Sequence, residues 1–143
     1  MNELRGSCHC GNVEFSLFTE KTVDSLVPRR CSCSMCRRHG ASYVSDPSAR
    51  LMLRYHDQSL LTVYRFGHGT AQWMICSRCG VLTAVLCEID GRLRAVVRVQ
   101  SMLEHSFLGP EVSTDFESES VAERLERRAR TWTGTVKVFA PLP

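Results

Sequence analysis

Cys76-Ser77-Arg78-Cys79-Gly80 runs without a break into Val81-Leu82-Thr83-Ala84-Val85-Leu86-Cys87-Glu88-Ile89-Asp90-Gly91-Arg92-Leu93-Arg94-Ala95-Val96-Val97-Arg98-Val99. The first five residues form a C-x-x-C knuckle, and Gly80 after them permits a tight turn. Asp90-Gly91 is the residue pair that a two-residue type I′ turn demands, because both central positions need positive φ. The apolar runs on either side therefore predict an antiparallel hairpin, with strands over 81–89 and 92–99. In the second strand Leu93, Ala95, Val97 and Val99 point one way and Arg92, Arg94 and Arg98 the other, the period-two pattern of a strand.

Outward from this hairpin the chain reads mostly as strands. Val13, Phe15 and Leu17 alternate with Glu14 and Ser16, a half-buried strand. Residues 41–45 and 51–56 flank Asp46-Pro47, a turn signal. Residues 60–66 and 71–75 are joined by Gly67-His68-Gly69-Thr70, which reads as another hairpin. The one helix is expected over 117–130, where Val121, Leu125 and Ala129 recur every four residues. Glu117, Glu119 and Glu123 crowd its start and Arg127, Arg128 and Arg130 its end, which suits the helix dipole. Those arginines read first as a solvated helix end and second as a binding patch. The expected fold is mainly β, small antiparallel sheets with one C-terminal helix, in a single domain over 1–143.

The 143 residues are 43% hydrophobic and 23% charged, an ordinary globular mixture. The first twenty carry Glu3, Arg5, Glu14 and Glu20 and no apolar core of a signal peptide. The longest apolar run, over 81–87, is interrupted by Thr83 and falls far short of the ~20 residues of a membrane span. These features predict a cytoplasmic chain without a membrane segment. Eight cysteines are then the outlier. Disulfides are rare in reducing compartments, so clustered cysteines there point to metal.

Seven of the eight fall in three clusters: Cys8-His9-Cys10, Cys31-Ser32-Cys33-Ser34-Met35-Cys36, and Cys76 with Cys79. Zinc takes four soft ligands in a tetrahedron with Zn–S near ~2.3 Å. Cys8 and Cys10 with Cys76 and Cys79 make one closed set, tying the first strand to the middle of the chain. Cys31, Cys33 and Cys36 supply three ligands and leave a fourth position, the pattern of a catalytic zinc. The alternative is a second closed site with Cys87 or His39 as fourth ligand. Cys87, in an apolar run, reads as a small buried hydrophobe. An iron–sulfur cluster also uses thiolates, but C-x-C pairs are less usual for it.

Sixteen of the 18 basic residues are arginine, and the formal charge is +3. Seven thiolates on two zinc ions would cancel that excess, so the charge argues against nucleic acid as a partner. Arg29, Arg30, Arg37 and Arg38 bracket the middle cluster, where guanidinium groups would hold thiolates deprotonated. Arg37 and Arg38 are also candidates to gather an anionic substrate by bidentate contacts. His9 sits between two ligands and is expected to face outward, and His68 reads as a turn residue. Neither His56 nor His105 shows a partner in the sequence. Tyr64, Phe66 and Trp73 read as core.

Gly6-Ser7-Cys8-His9-Cys10-Gly11-Asn12-Val13, Cys31-Ser32-Cys33-Ser34-Met35-Cys36-Arg37-Arg38, and Tyr64-Arg65-Phe66-Gly67 running into Cys76-Ser77-Arg78-Cys79-Gly80 together resemble the glutathione-dependent formaldehyde-activating enzyme family, which includes the centromere protein V group. The resemblance covers about residues 4–100; the stretch beyond, with the arginine-rich helix, matches no motif of the family. It implies a zinc-stabilised β-tent, a structural zinc on Cys8, Cys10, Cys76 and Cys79, and a catalytic zinc on Cys31, Cys33 and Cys36. It also implies an activity: carbon–sulfur lyase chemistry that joins formaldehyde to the glutathione thiol and reverses it.

Two functions are therefore expected to compete. In the first, the chain is an enzyme whose three-cysteine zinc takes a small-molecule thiol or an aldehyde, a role that suits an electron-rich metal better than hydrolysis does. His39 is the nearest candidate base. In the second, both zincs are structural and the arginine-bracketed loop contacts a protein or nucleic acid. The fourth ligand of the middle site separates them.

Overall fold

The computed structural model describes residues 1–139. Its strands are β1 (Asn2–Ser7), β2 (Val13–Thr19), β3 (Arg29–Cys31), β4 (Ser42–Val44), β5 (Arg50–Tyr55), β6 (Leu61–Tyr64), β7 (Gln72–Cys76), β8 (Leu82–Ile89), β9 (Arg92–Arg98), β10 (Val112–Thr114) and β11 (Thr135–Phe139). A short helix α1 (Ser34–His39) follows β3, and α2 (Val121–Thr131) precedes β11. Among the described residues no helix is long and apolar enough to cross a membrane.

The strands form two sheets. One has the order β1-β2-β5-β11, the other β10-β3-β4-β9-β8-β7-β6. Asp90 and Gly91 take φ of 51° and 75°, both positive as the type I′ reading requires. β8 and β9 pair antiparallel around them, with Ile89 opposite Arg92. The hairpin reading of 60–66 and 71–75 becomes β6 and β7, paired antiparallel. Most pairings are antiparallel, but β10 lies parallel to β3 and β11 parallel to β5. Both parallel strands sit at sheet edges and return from distant sequence, so no local turn announces them.

One face of the larger sheet packs on the smaller one. Leu4, Val13, Phe15, Leu17, Leu51 and Leu53 from the small sheet meet Met74, Ala84, Leu86, Ala95 and Val97 from the large one. Leu93, Ala95, Val97 and Val99 lie on this side, as their alternation predicts. β1 carries little apolar signal. Gly6 sets its approach, because a Cβ there would collide with the Phe15 ring and the Ser101 carbonyl oxygen.

The opposite face of the large sheet is covered as well. Tyr43, Trp73, Val85, Cys87 and Val96 form a second cluster with Cys36 and Trp132. Burial on both faces explains why β8 is buried without alternation from Leu82 to Cys87, with Thr83 the one polar residue in that run. The cover consists of the three-cysteine loop and α2, and the candidate site lies beneath it.

The helix differs from its sequence reading. It begins at Val121, not 117, because Ser120 and Glu123 close a capping box: the Ser120 hydroxyl accepts from Glu123 N–H at 3.1 Å and the Glu123 carboxylate from Ser120 N–H at 3.1 Å. Val121 is exposed, and the buried position on the helix is Arg128. Tyr64, expected in the core, is also exposed and stacks on Phe66.

Candidate active site

The structure brings Cys8, Cys10, Cys76 and Cys79 together, their sulfurs all within 4.8 Å of one another. Cys8 and Cys10 sit in the turn from β1 to β2, Cys76 ends β7, and Cys79 lies in the turn to β8. The group therefore links the two sheets. Cys8 Sγ lies 3.7 Å from Cys10 Sγ, which lies 3.5 Å from Cys76 Sγ. Tetrahedral zinc with Zn–S near ~2.3 Å needs sulfurs about 3.8 Å apart, so the spacing fits. Val13 N–H donates to Cys8 Sγ at 3.3 Å and helps aim it. Burial pushes the Cys8 thiol up to about 12, so a thiolate here needs a cation beside it.

Cys31, Cys33 and Cys36 form the second group, again within 4.8 Å. Cys31 ends β3, Cys33 is the N-cap of α1, and Cys36 lies inside that helix. Cys36 N–H donates to Cys33 Sγ at 3.4 Å. Gly40 then ends the helix with φ of 59°, turning the chain into β4. Hydrogen bonding from the Cys31 and Cys36 thiols holds Cys33 down to about 2. The same contacts and burial push Cys36 upward. Crowded sulfurs of this kind ionise together only around a cation, so the donor set fits a bound metal. Both groups can hold a metal ion, and their all-sulfur character is consistent with zinc.

The second group opens on a pocket of about 140 Å³, and the first does not line it. Tyr43 is buried at its floor, its hydroxyl 3.0 Å from Cys36 Sγ. Burial first, then the Cys36 sulfur, pushes the phenol up, so it stays protonated and can donate. Trp73, Phe66, Val85, Val96 and Trp132 give the pocket apolar walls. Phe66 and Trp73, read as core, thus face the pocket, their ring centroids 4.7 Å apart.

Four arginines also line the pocket: Arg29 from β3 and Arg124, Arg127 and Arg128 from α2. The reading of this helix end as solvated is corrected here, because Arg128 is only 7% exposed. Its Nη1 donates to Thr70 Oγ1 at 3.0 Å and to Cys87 Sγ at 3.5 Å, and its guanidinium lies over the Trp132 ring. Arg127 makes a two-point contact with Glu119 and stacks 3.5 Å above Phe116. Arg124 reaches Glu119 too, and the pair holds that carboxyl below its usual range, Arg127 contributing most.

Other candidates lie apart. Cys87 and His39 belong to neither cysteine group. Arg37 and Arg38 are exposed and do not line the pocket; Arg38 bonds back to the Ser34 carbonyl. Arg30 is paired with Glu111. His9 is exposed, and His68 lines the pocket from its turn.

The family model for glutathione-dependent formaldehyde-activating enzymes matches residues 3–118. The chain belongs to this family. A crystal structure of a Rhodobacter sphaeroides protein is similar as well, at 28% identity and a TM-score of 0.52, over 76% of this chain and 99% of that one. Within the formaldehyde-activating family match lie both cysteine groups, Tyr43, Phe66 and Trp73. The arginines of α2 lie beyond it. A signal for them was present in the sequence: 124, 127 and 128 are spaced i, i+3 and i+4, one face of a helix. Their apposition to cysteines some ninety residues earlier has no local signature.

Proposed function

We propose that this protein is a zinc-dependent carbon–sulfur lyase that makes and breaks the adduct of a small thiol with an aldehyde, formaldehyde and glutathione being the pair the family name suggests. It would carry two zinc ions, a structural one on Cys8, Cys10, Cys76 and Cys79 and a catalytic one on Cys31, Cys33 and Cys36. One observation carries the reading: the three-cysteine group faces a pocket, and neither Cys87 nor His39 completes it. A zinc with three protein ligands supplies an open Lewis-acid position for a thiolate or a carbonyl oxygen.

The chain's own residues supply the rest. In the forward direction the thiol S–H breaks, a C–S bond forms, the C=O π pair moves to oxygen, and that oxygen takes the proton. Nothing is oxidised or reduced. Holding thiol and aldehyde side by side does most of the work, because the addition needs little acid–base help. The Tyr43 hydroxyl orients Cys36 Sγ. Trp73, Phe66 and Val85 exclude bulk water and strengthen every polar contact inside.

The test is a screen of thiol–aldehyde pairs with zinc-loaded protein, followed by NMR exchange of the adduct methylene. Acceleration of at least one pair, lost in Cys31→Ser, is expected. If no pair is accelerated while the protein holds two zincs, both metals are structural and the reading as a binding module replaces this one.

A further inference from the structure

We propose that the pocket is an anion site in which Arg128, with Arg29, receives a substrate carboxylate, and that the substrate is a short thiol acid or its aldehyde adduct, not a tripeptide. This rests on the thiol–aldehyde reading above and narrows its substrate.

Arg128 is a guanidinium with nine-tenths of its surface buried. Such a group is retained where an anion meets it, because a buried charge without one is costly. Its protein contacts are a neutral hydroxyl and a thiol, which fix Nη1. Among the described residues its Nε has no hydrogen-bond partner. No carboxylate among them lies within salt-bridge distance of it or of Arg29, whose Nη2 donates to the Ser45 hydroxyl at 2.7 Å. Burial presses the Arg128 guanidinium below its usual range, yet it stays charged.

Charge balance leads to the same place. Arg124 and Arg127 share Glu119, and the exposed Glu117 is the carboxylate that lines the pocket. A zinc on three thiolates adds one net negative charge. Four guanidinium groups against these three leave one cation for a ligand. The donor fork of an arginine suits a carboxylate, and the apolar walls strengthen the pair.

Size then selects the ligand. A cavity of ~150 Å³ accommodates benzene, about six non-hydrogen atoms. The enclosed part of the pocket here is about 140 Å³ and opens to solvent, so a larger thiol would have to extend outside its walls. A two- or three-carbon thiol acid fits, with its sulfur toward Cys31, Cys33 and Cys36 and its carboxylate toward Arg128. The arginines of α2 stand outside residues 3–118, so this selectivity is an addition to what the family match covers.

Trp73 and Trp132 both line the pocket, so tryptophan fluorescence of the zinc-loaded full chain reports binding. The probes are mercaptoacetate, 2-mercaptoethanol, glutathione and propionate. Mercaptoacetate should bind about tenfold or more tighter than 2-mercaptoethanol and glutathione, the order expected for one charge-assisted contact. In Arg128→Gln the ratio between the two small thiols should fall to near one, and Arg128→Lys should restore part of it. Should Arg128→Gln not fold, Arg29→Gln reads the same ratio from the other cation. Equal binding of the small thiols by the parent protein, tighter binding of glutathione, or a ratio unchanged in the folded variants would overturn the proposal. Propionate separates the two readings: if it binds in an Arg128-dependent way and no thiol binds, the anion site stands and the thiol–aldehyde chemistry falls.

Discussion

The carboxylate of Asp46 joins three segments. Thr19, at the end of β2, donates its hydroxyl to Oδ2 at 2.6 Å, Ser48 N–H donates to Oδ1, and Lys21 lies 3.4 Å away. Its own N–H meets Thr133 beyond α2. Burial would raise this carboxyl, but the Thr19 and Ser48 hydrogen bonds and the Lys21 charge outweigh it and hold the group below its usual range. The ionised form is thus favoured by the fold. Its stabilising effect is present above the unfolded value of about 3.9 and is lost as pH falls through that region toward the folded value. Asp46→Asn should therefore be less stable than the parent at pH 7, by an amount that shrinks below about pH 4. Paired urea melts across pH check this, since metal loss in acid affects both proteins and cancels in the difference. Cys87 makes a second case: its side chain is fully buried and its sulfur accepts from Arg128. Cys87→Ser keeps an acceptor and should cost on the order of 1 kcal/mol with both zinc equivalents retained. Cys87→Val removes the acceptor from a buried guanidinium and should cost about 1–3 kcal/mol more. Elemental analysis and thermal melts separate these outcomes, and loss of one zinc in Cys87→Ser would make Cys87 a ligand.

The helix α2 covers the site with charged residues and depends on its cap. Its apolar contribution is small: Leu125 is half-buried and Val121 exposed. The capping box satisfies two of the amides that a helix start leaves open. Ser120→Ala should cost about 1 kcal/mol, read as a lower melting temperature. Because Arg124, Arg127 and Arg128 ride on this helix, the variant should also weaken mercaptoacetate binding without changing zinc content. The box was legible in Ser120-x-x-Glu123, but the acidic run before it drew the predicted start back to 117. β11 follows at once and pairs with β5. Its alternation, Thr135-Val136-Lys137-Val138, is short, and only the parallel partner gives it a role.

Across the whole molecule the two cysteine groups hold different places. The first ties turns from both sheets, with Cys10 and Cys76 sixty-six residues apart. Structural zinc binding is itself folding free energy, about 10 kcal/mol or more in small domains. Cys79→Ser should therefore unfold or aggregate. The second group spans six residues of one loop, apart from the core between the sheets and from the first cysteine group. Cys36→Ser should stay folded, hold about one zinc, and lose adduct turnover. Circular dichroism, zinc content and turnover of both variants side by side decide this. Equal collapse of the two would make the second metal structural as well.

The sequence by itself determined whatever is encoded at short range. The Asp90-Gly91 turn, the strands around it and the gathering of seven cysteines into three clusters of C-x-C and C-x-x-C spacing all rest on neighbours within a few residues. Their geometry follows from backbone sterics and ligand reach. Tertiary structure alone decided which face of the large sheet carries the pocket, that Tyr43 stands against Cys36, and that an arginine helix closes over the site. It also decided the parallel edge pairings of β10 with β3 and β11 with β5. The pocket face and the helix over it join segments far apart in the chain, and even Tyr43 and Cys36, seven residues apart, meet only through the helix end and turn between them. The side chains involved, polar, aromatic or arginine, carry no apolar periodicity to mark them as buried, because their burial depends on neighbours that only the folded chain brings together.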